Sequence, residues 1–193
     1  MTESGTPHPN SYWLPGGRVL AGEYPFTRDE AAGRARLRRL LDAGITCFID
    51  LTRAGEWGLV PYERALREES EALGLAAEYH RLPIPDMGIP TRARMADILD
   101  AIDNACAAGH TVYLHCWGGI GRTGTVVGCH LVRCGMSGDE ALALVATLFR
   151  SMSEAKTAAH PEGSPQTEEQ RAFVREWREW HGRGAPRGKD SCA

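Results

Sequence analysis

The chain has 193 residues, enough for one domain with a sizeable core, and its 42% hydrophobic and 24% charged residues are ordinary for a globular protein. A formal net charge of −3 gives no basic field for nucleic acid or an anionic membrane, and no apolar run reaches the eighteen or so residues of a membrane span. The N-terminus lacks the basic and apolar regions of a secretory signal, and the cysteines Cys47, Cys106, Cys116, Cys129, Cys134 and Cys192 have no paired metal-type spacing. Reduced thiols, a cytoplasmic location and no structural metal are therefore expected.

Residues 1–11 are polar and proline-containing and read as a flexible tail. The stretch 12–22 gives two short strands around Pro15-Gly16-Gly17. Thr27 and Glu30 have capping-box spacing, opening a helix to about Asp42 with Gly44 as its stop. Its arginines, Arg28, Arg34, Arg36, Arg38 and Arg39, read as a solvated face rather than a docking surface. Segment 45–51 is a central strand, 61–73 a helix ended by Gly74, and 76–82 a further strand stopped by the proline-rich run to Pro90. From Arg92 to Ala108, Met95, Ile98, Leu99, Ile102 and Cys106 make one helical stripe.

The run 111–124 concentrates the chemistry. A β-branched and aromatic strand leads into Cys116, passes Gly118, Gly119 and Gly121, reaches Arg122 and Thr123, and then turns helical at Val126, Val127, His130 and Leu131. Strand, glycine loop and helix N-terminus form an anion cradle of inward backbone N–H groups. Those amides, the helix dipole and Arg122 favour a thiolate at Cys116, and the guanidinium fork matches two phosphate oxygens. Further on, Ser137 and Glu140 cap a helix to about Phe149, and 160–165 is a break. A final amphipathic helix over 167–181 carries Phe173, Val174, Trp177 and Trp180 on one face, before a flexible tail at 183–193.

Alternating strands and helices predict an α/β fold: a central, mostly parallel sheet of about four or five strands flanked by helices, in a single domain over 12–182. Strand 76–82, helix 92–108 and strand 111–115 make a crossover unit, so the loops carrying Asp86 and Cys116 leave the sheet at one edge. Ligands of such sheets bind at that edge.

The residues from His115 to Gly124, His-Cys-Trp-Gly-Gly-Ile-Gly-Arg-Thr-Gly, resemble the signature of the cysteine-dependent protein tyrosine and dual-specificity phosphatases: His-Cys, five residues, Arg, then Ser or Thr. The resemblance implies a phosphotyrosine protein phosphatase-like fold and no metal or other cofactor. It implies Cys116 as nucleophile, Arg122 as phosphate clamp, His115 as support for the loop, and a substrate cradle of Trp117, Gly118, Gly119, Ile120 and Gly121. Thr123 is expected to hydrogen-bond the sulfur as it leaves. Asp86, in Ile-Pro-Asp, matches the family's mobile acid, although Ile84 stands where many tyrosine-specific members have tryptophan. Its lead of about thirty residues over the cysteine is similar to the dual-specificity branch. The stretch from Ser164 to Gln170 resembles the family's glutamine loop, making Gln166 and Gln170 candidates to orient the hydrolytic water.

Plainer readings stand beside these. Asp86 also suits a Pro-Asp-x-Gly turn, Thr167 and Gln170 also have capping-box spacing, and His115 suits a ring satisfied by a backbone carbonyl. Asp50 reads as bonded into the scaffold, with Glu56 a second candidate for the acid. Trp117 either lines the pocket floor or packs behind it. The expected reaction is hydrolysis of a phosphomonoester through a phosphocysteine, on a phosphorylated protein. The uncharged loop 117–121 favours a monoanionic site over a polyphosphorylated headgroup. The competing readings are a phosphatase of a phosphoinositide, nucleotide or RNA 5′-phosphate, a thiol-dependent arsenate reductase or sulfur transferase, and a non-catalytic phospho-binding module. No nucleic-acid or membrane partner is expected, and the oligomeric state is not legible.

Overall fold

The computed structural model of the chain describes residues 5–178. Pro15, Gly16 and Gly17 turn the chain between β1 (Ser11–Trp13) and β2 (Val19–Gly22), the two glycines taking φ of 88° and 68°. Next come β3 (Ile45–Asp50) and β5 (Thr111–His115), largely apolar and buried, and the polar edge strand β4 (Glu78–Arg81). The sheet runs β1-β2-β5-β3-β4, antiparallel only between β1 and β2. The mostly parallel five-stranded sheet is thus present, with β3 lying between the two strands of the 76–115 crossover.

Alternation along the strands divides the core in two. On one face, α1 (Glu30–Asp42) and α2 (Glu63–Ala72) cover Leu20, Phe48 and Tyr113. On the other, α3 (Arg92–Ala107), α4 (Gly121–Arg133) and α5 (Gly138–Phe149) cover Ile49, Val112 and Leu114, and α7 (Glu168–Arg175) packs on α4 and α5. A short α6 (Glu154–Ala159), which the sequence reading passes over, links α5 to the last segment. Helix α4 lies so close to that segment that a Cβ at Gly124 would stand 2.1 Å from Ser164 Oγ, and one at Gly128 2.7 Å from Val174 Cγ1.

Several boundaries move. The N-cap of α1 is Asp29, whose carboxylate accepts from Ala32 N, while Thr27 Oγ1 bonds Asp29 O, so the Thr27–Glu30 box does not form. The last helix stops at Arg175, with Val174 and Trp177 buried; Trp180 lies outside the described residues. Cys47, Cys106, Cys116 and Cys129, buried or partly buried, are free thiols. No helix among the described residues is long and apolar enough to cross a membrane. Register also gathers what spacing alone could not: Cys47, Glu78 and His80 bring metal-type ligand atoms within 4.8 Å of one another. Burial pushes the Cys47 thiol up to about 12, and His80 and His110 already engage Glu78.

The expected tail at 1–11 is tied down from His8 onward. His8 is 3% exposed; its Nδ1 accepts from Asn10 N at 3.1 Å, and its Nε2 lies 3.4 Å from Glu23 Oε1. Pro9 O accepts from Ser153 N, and Ser11 already belongs to β1. Burial lowers the His8 pKa from 6.5 to about 4, against the pull of Glu23 and helped by Arg36, Arg39 and Lys156. In this pH window the unfolded chain binds the proton and the folded chain does not, so the stability His8 gives is present above pH 6.5 and lost as pH falls toward 4. The stability gap between His8→Asn and the parent, measured by urea unfolding, should therefore shrink from pH 7 to about pH 4.5; a constant gap would contradict a buried neutral imidazole.

Candidate active site

Residue Cys116 follows the last residue of β5, and the chain then climbs through 117–120 into α4. The N-cap of that helix, Ile120, offers no side-chain bond to the first turn, leaving its N–H groups for an anion. Gly119 has φ of 73°, and a Cβ there would stand 2.5 Å from the carbonyl carbon of Gly22, so only glycine lets the loop seat on the end of β2. Gly119 N donates to Cys116 Sγ at 3.3 Å, the first amide of the expected cradle aimed at the sulfur. Cys116 is 3% exposed, at the floor of the loop.

His115 points to the opposite face, as the strand period requires. Its Nδ1 lies 3.2 Å from Cys116 O and its Nε2 2.6 Å from Tyr62 Oη. A carbonyl only accepts, so Nδ1 carries the proton and Tyr62 donates to Nε2. Burial lowers the His115 pKa, the nearby Asp50 carboxylate pulling the other way, and the ring is neutral. It thus pins the first carbonyl of the loop, in agreement with the carbonyl-satisfied reading. Asp50 is fully buried, accepting from Thr52 N, Thr52 Oγ1 and Tyr79 Oη, and is part of the scaffold.

The guanidinium of Arg122 is 2% exposed and is the point where three loops meet. Glu56 grips it from both terminal nitrogens, at 2.6 and 2.9 Å, a bidentate pair. Ile84 O lies 3.3 Å from Nη1, and Asp86 Oδ1 lies 3.0 Å from Nη2. The crossover therefore delivers Asp86 to the far end of the cradle from Cys116. Glu56, weighed in the sequence as an alternative acid, is instead the partner that orients Arg122. Beside it, Trp57 donates from Nε1 to Asp86 Oδ2 at 3.0 Å. Glu56, Trp57 and Tyr62 are the members the sequence reading missed in these roles. Each acts on a residue at least twenty-nine positions away, and the only local signal is Gly55, which at φ of 73° turns the chain after β3.

Other expected members take different positions. Trp117 neither lines the floor nor packs behind it: its carbonyl is held by Tyr24 N, and the residue is 53% exposed. The side chain of Ile120 is buried in the core, so only its backbone faces the cradle. Gly118 follows Trp117 in the loop, and Gly121 is the first residue of α4. Thr123 Oγ1 is buried without a hydrogen-bond partner, a hydroxyl held free beside the loop. Gln170 is fully buried and closes the capping box with Thr167. Its Oε1 accepts from Gln166 N and Thr167 N and its Nε2 donates to Gly88 O, so it braces the 164–170 loop against the Asp86 loop. Gln166 lies partly exposed in the same loop, its amide bonded to Glu162.

A family model described as the DSP-PTPase phosphatase domain of Swiss Army Knife proteins matches residues 8–174. A putative tyrosine phosphatase of Invertebrate iridescent virus 3 is 30% identical over 118 residues, covering 59% of this chain and 42% of its own length. The chain thus spans less than half the length of the curated relatives it matches. Among solved structures, Tk-PTP in its active form superposes with a TM-score of 0.65 at 24% identity, over 87% of this chain and 95% of that one. PTPMT1 in complex with PI(5)P gives 0.60 at 23% identity, over 82% and 88%. These two likenesses are of fold.

Proposed function

This chain belongs to the Swiss Army Knife DSP-PTPase phosphatase family, and on that premise we propose that it hydrolyses phosphomonoesters of protein side chains, phosphotyrosine foremost, through a phosphocysteine. Cys116 attacks phosphorus in line, forming the S–P bond as the P–O bond breaks, and the leaving oxygen takes its proton from Asp86. Water then attacks phosphorus, Asp86 receives its proton, and the sulfur departs with the free hydroxyl of Thr123 to hydrogen-bond it. Loop amides and Arg122 hold the equatorial oxygens throughout. Gln166 is the remaining side chain of its loop that can meet the water.

One observation carries this reading: Asp86, from a separate loop thirty residues before Cys116, ends 3.0 Å from the guanidinium that closes the cysteine's cradle. Arsenate reduction and sulfur transfer give such an acid no task, and a pure binding module gives it none either. The substrate preference rests on the loop's lack of charge. Lys156, the cation nearest Gly118, is tied to Glu23 at 2.9 Å rather than standing free for a second phosphate. Asp86→Asn should lower kcat about 10²- to 10³-fold on a phosphoserine peptide and far less on p-nitrophenyl phosphate, whose leaving group needs little protonation. Equal rates for parent and variant on both substrates would overturn the acid assignment. An intact chain that releases no phosphate from any aryl ester would overturn hydrolysis itself.

A further inference from the structure

Trp57 is placed as few surface residues are. Its side chain is 72% exposed, and its backbone takes φ of 50°, a left-handed conformation that bulky residues avoid. Among the described residues only Trp57 and Met87 are non-glycine residues with positive φ, and they follow Glu56 and Asp86, the two carboxylates on Arg122. Exposure and strain both run against packing, so the core gives no reason for a tryptophan here. The indole N–H supplies one, through its bond to Asp86 Oδ2.

That bond decides which oxygen of Asp86 can act. With Oδ1 on Arg122 and Oδ2 on Trp57, both oxygens are occupied in the substrate-free site. A phosphate bound by the guanidinium competes for Nη2 and so for the contact of Oδ1, whereas nothing in that exchange disturbs Trp57. Once a phosphate takes Nη2, Oδ2 still accepts from Trp57 while Oδ1 has lost its donor, so Oδ1 is the oxygen left to carry the carboxyl proton. The same geometry locates the substituent on the leaving oxygen. Asp86 must reach that oxygen, so the group attached to it lies beside the residue that holds Asp86. Trp57 presents a flat aromatic surface there, with Met87, 49% exposed, following Asp86 in the chain.

We propose that Trp57 positions Asp86 with its protonated oxygen toward the substrate and forms the wall against which a phenolic leaving group stacks, making the site selective for aryl over alkyl phosphomonoesters. This rests on the reading of Asp86 as the acid. The test uses phosphotyrosine and phosphoserine peptides of otherwise identical sequence, with p-nitrophenyl phosphate as a third substrate. Trp57→Phe keeps a ring and loses the N–H; it should hold KM for the phosphotyrosine peptide near the parent's, lower kcat about tenfold on the phosphoserine peptide, and barely change kcat on p-nitrophenyl phosphate. Trp57→Ala should in addition raise KM about tenfold for the phosphotyrosine peptide alone. Melting temperatures of both variants should match the parent's, because the side chain is mostly in solvent. A Phe variant whose kcat changes equally on all three substrates would overturn the positioning role, and an Ala variant that moves both peptide KM values together, or neither, would overturn the wall. Asp86→Asn measured alongside separates the two readings. If it too is unimpaired on phosphoserine, the acid assignment fails; if it is impaired while the Trp57 variants behave as the parent, this inference alone fails.

Discussion

Cys116→Ser is expected to lower phosphate release from an aryl phosphate by at least about three orders of magnitude while leaving inorganic phosphate binding intact. A serine hydroxyl is far less acidic than a thiol, and among the described residues no base is bonded to the Cys116 side chain: His115 lies on the other face of the strand, bonded to Tyr62 and to the Cys116 carbonyl. The cradle does not depend on the sulfur. Gly119 is fixed by its contact with Gly22, and Arg122 by Glu56. Steady-state release assays and calorimetric phosphate titration of the same preparation check the two halves. The other free thiols among the described residues are poor substitutes, since burial pushes Cys47, Cys106 and Cys129 up and leaves them protonated. Turnover near the parent's in the serine variant would remove Cys116 as nucleophile.

The parts legible in the sequence are those whose cause is local. The alternation of 111–115, the glycines after Cys116 and the change to helical spacing at Val126 all lie within one run, and β5, the loop and α4 follow it. The meeting of Asp86 with the cradle could also be argued beforehand, because parallel strands joined by a crossover must end at one edge. Elsewhere local signals misled or were missing. Thr27 and Glu30 imitate a capping box, but Asp29 reaches Ala32 N and takes the cap two residues later. Helix α6 is six residues without an apolar stripe, so periodicity does not show it. Gln170 satisfies two patterns at once, and its burial against Gly121 and Gly88 decides between them only in three dimensions. The Glu56–Arg122 and Trp57–Asp86 pairs span sixty-six and twenty-nine residues, and no spacing rule announces either.

Arg122→Lys separates what the guanidinium does for the fold from what it does for the phosphate. Arg122 gives one N–H from each terminal nitrogen to Glu56, and Nη1 also faces Leu51 O and Ile84 O. Among the described residues no acceptor takes its Nε–H, so the Nε–Nη2 edge, half-covered by Asp86, is the one a phosphate can approach with two parallel bonds. A lysine ammonium is one point charge and cannot serve both edges. Its loss should therefore be double: stability falls by about 2–3 kcal/mol because Glu56, only 8% exposed, keeps a buried carboxylate with half its partners, and kcat/KM falls about 10³-fold because the transferring phosphoryl group loses its fork. Adding Glu56→Gln to Arg122→Lys removes the stranded charge and should recover much of the stability without recovering the rate. Urea unfolding and steady-state kinetics on the single and double variants read the two effects independently. A double variant that regained activity together with stability would show that Arg122 serves only to hold the three loops in place.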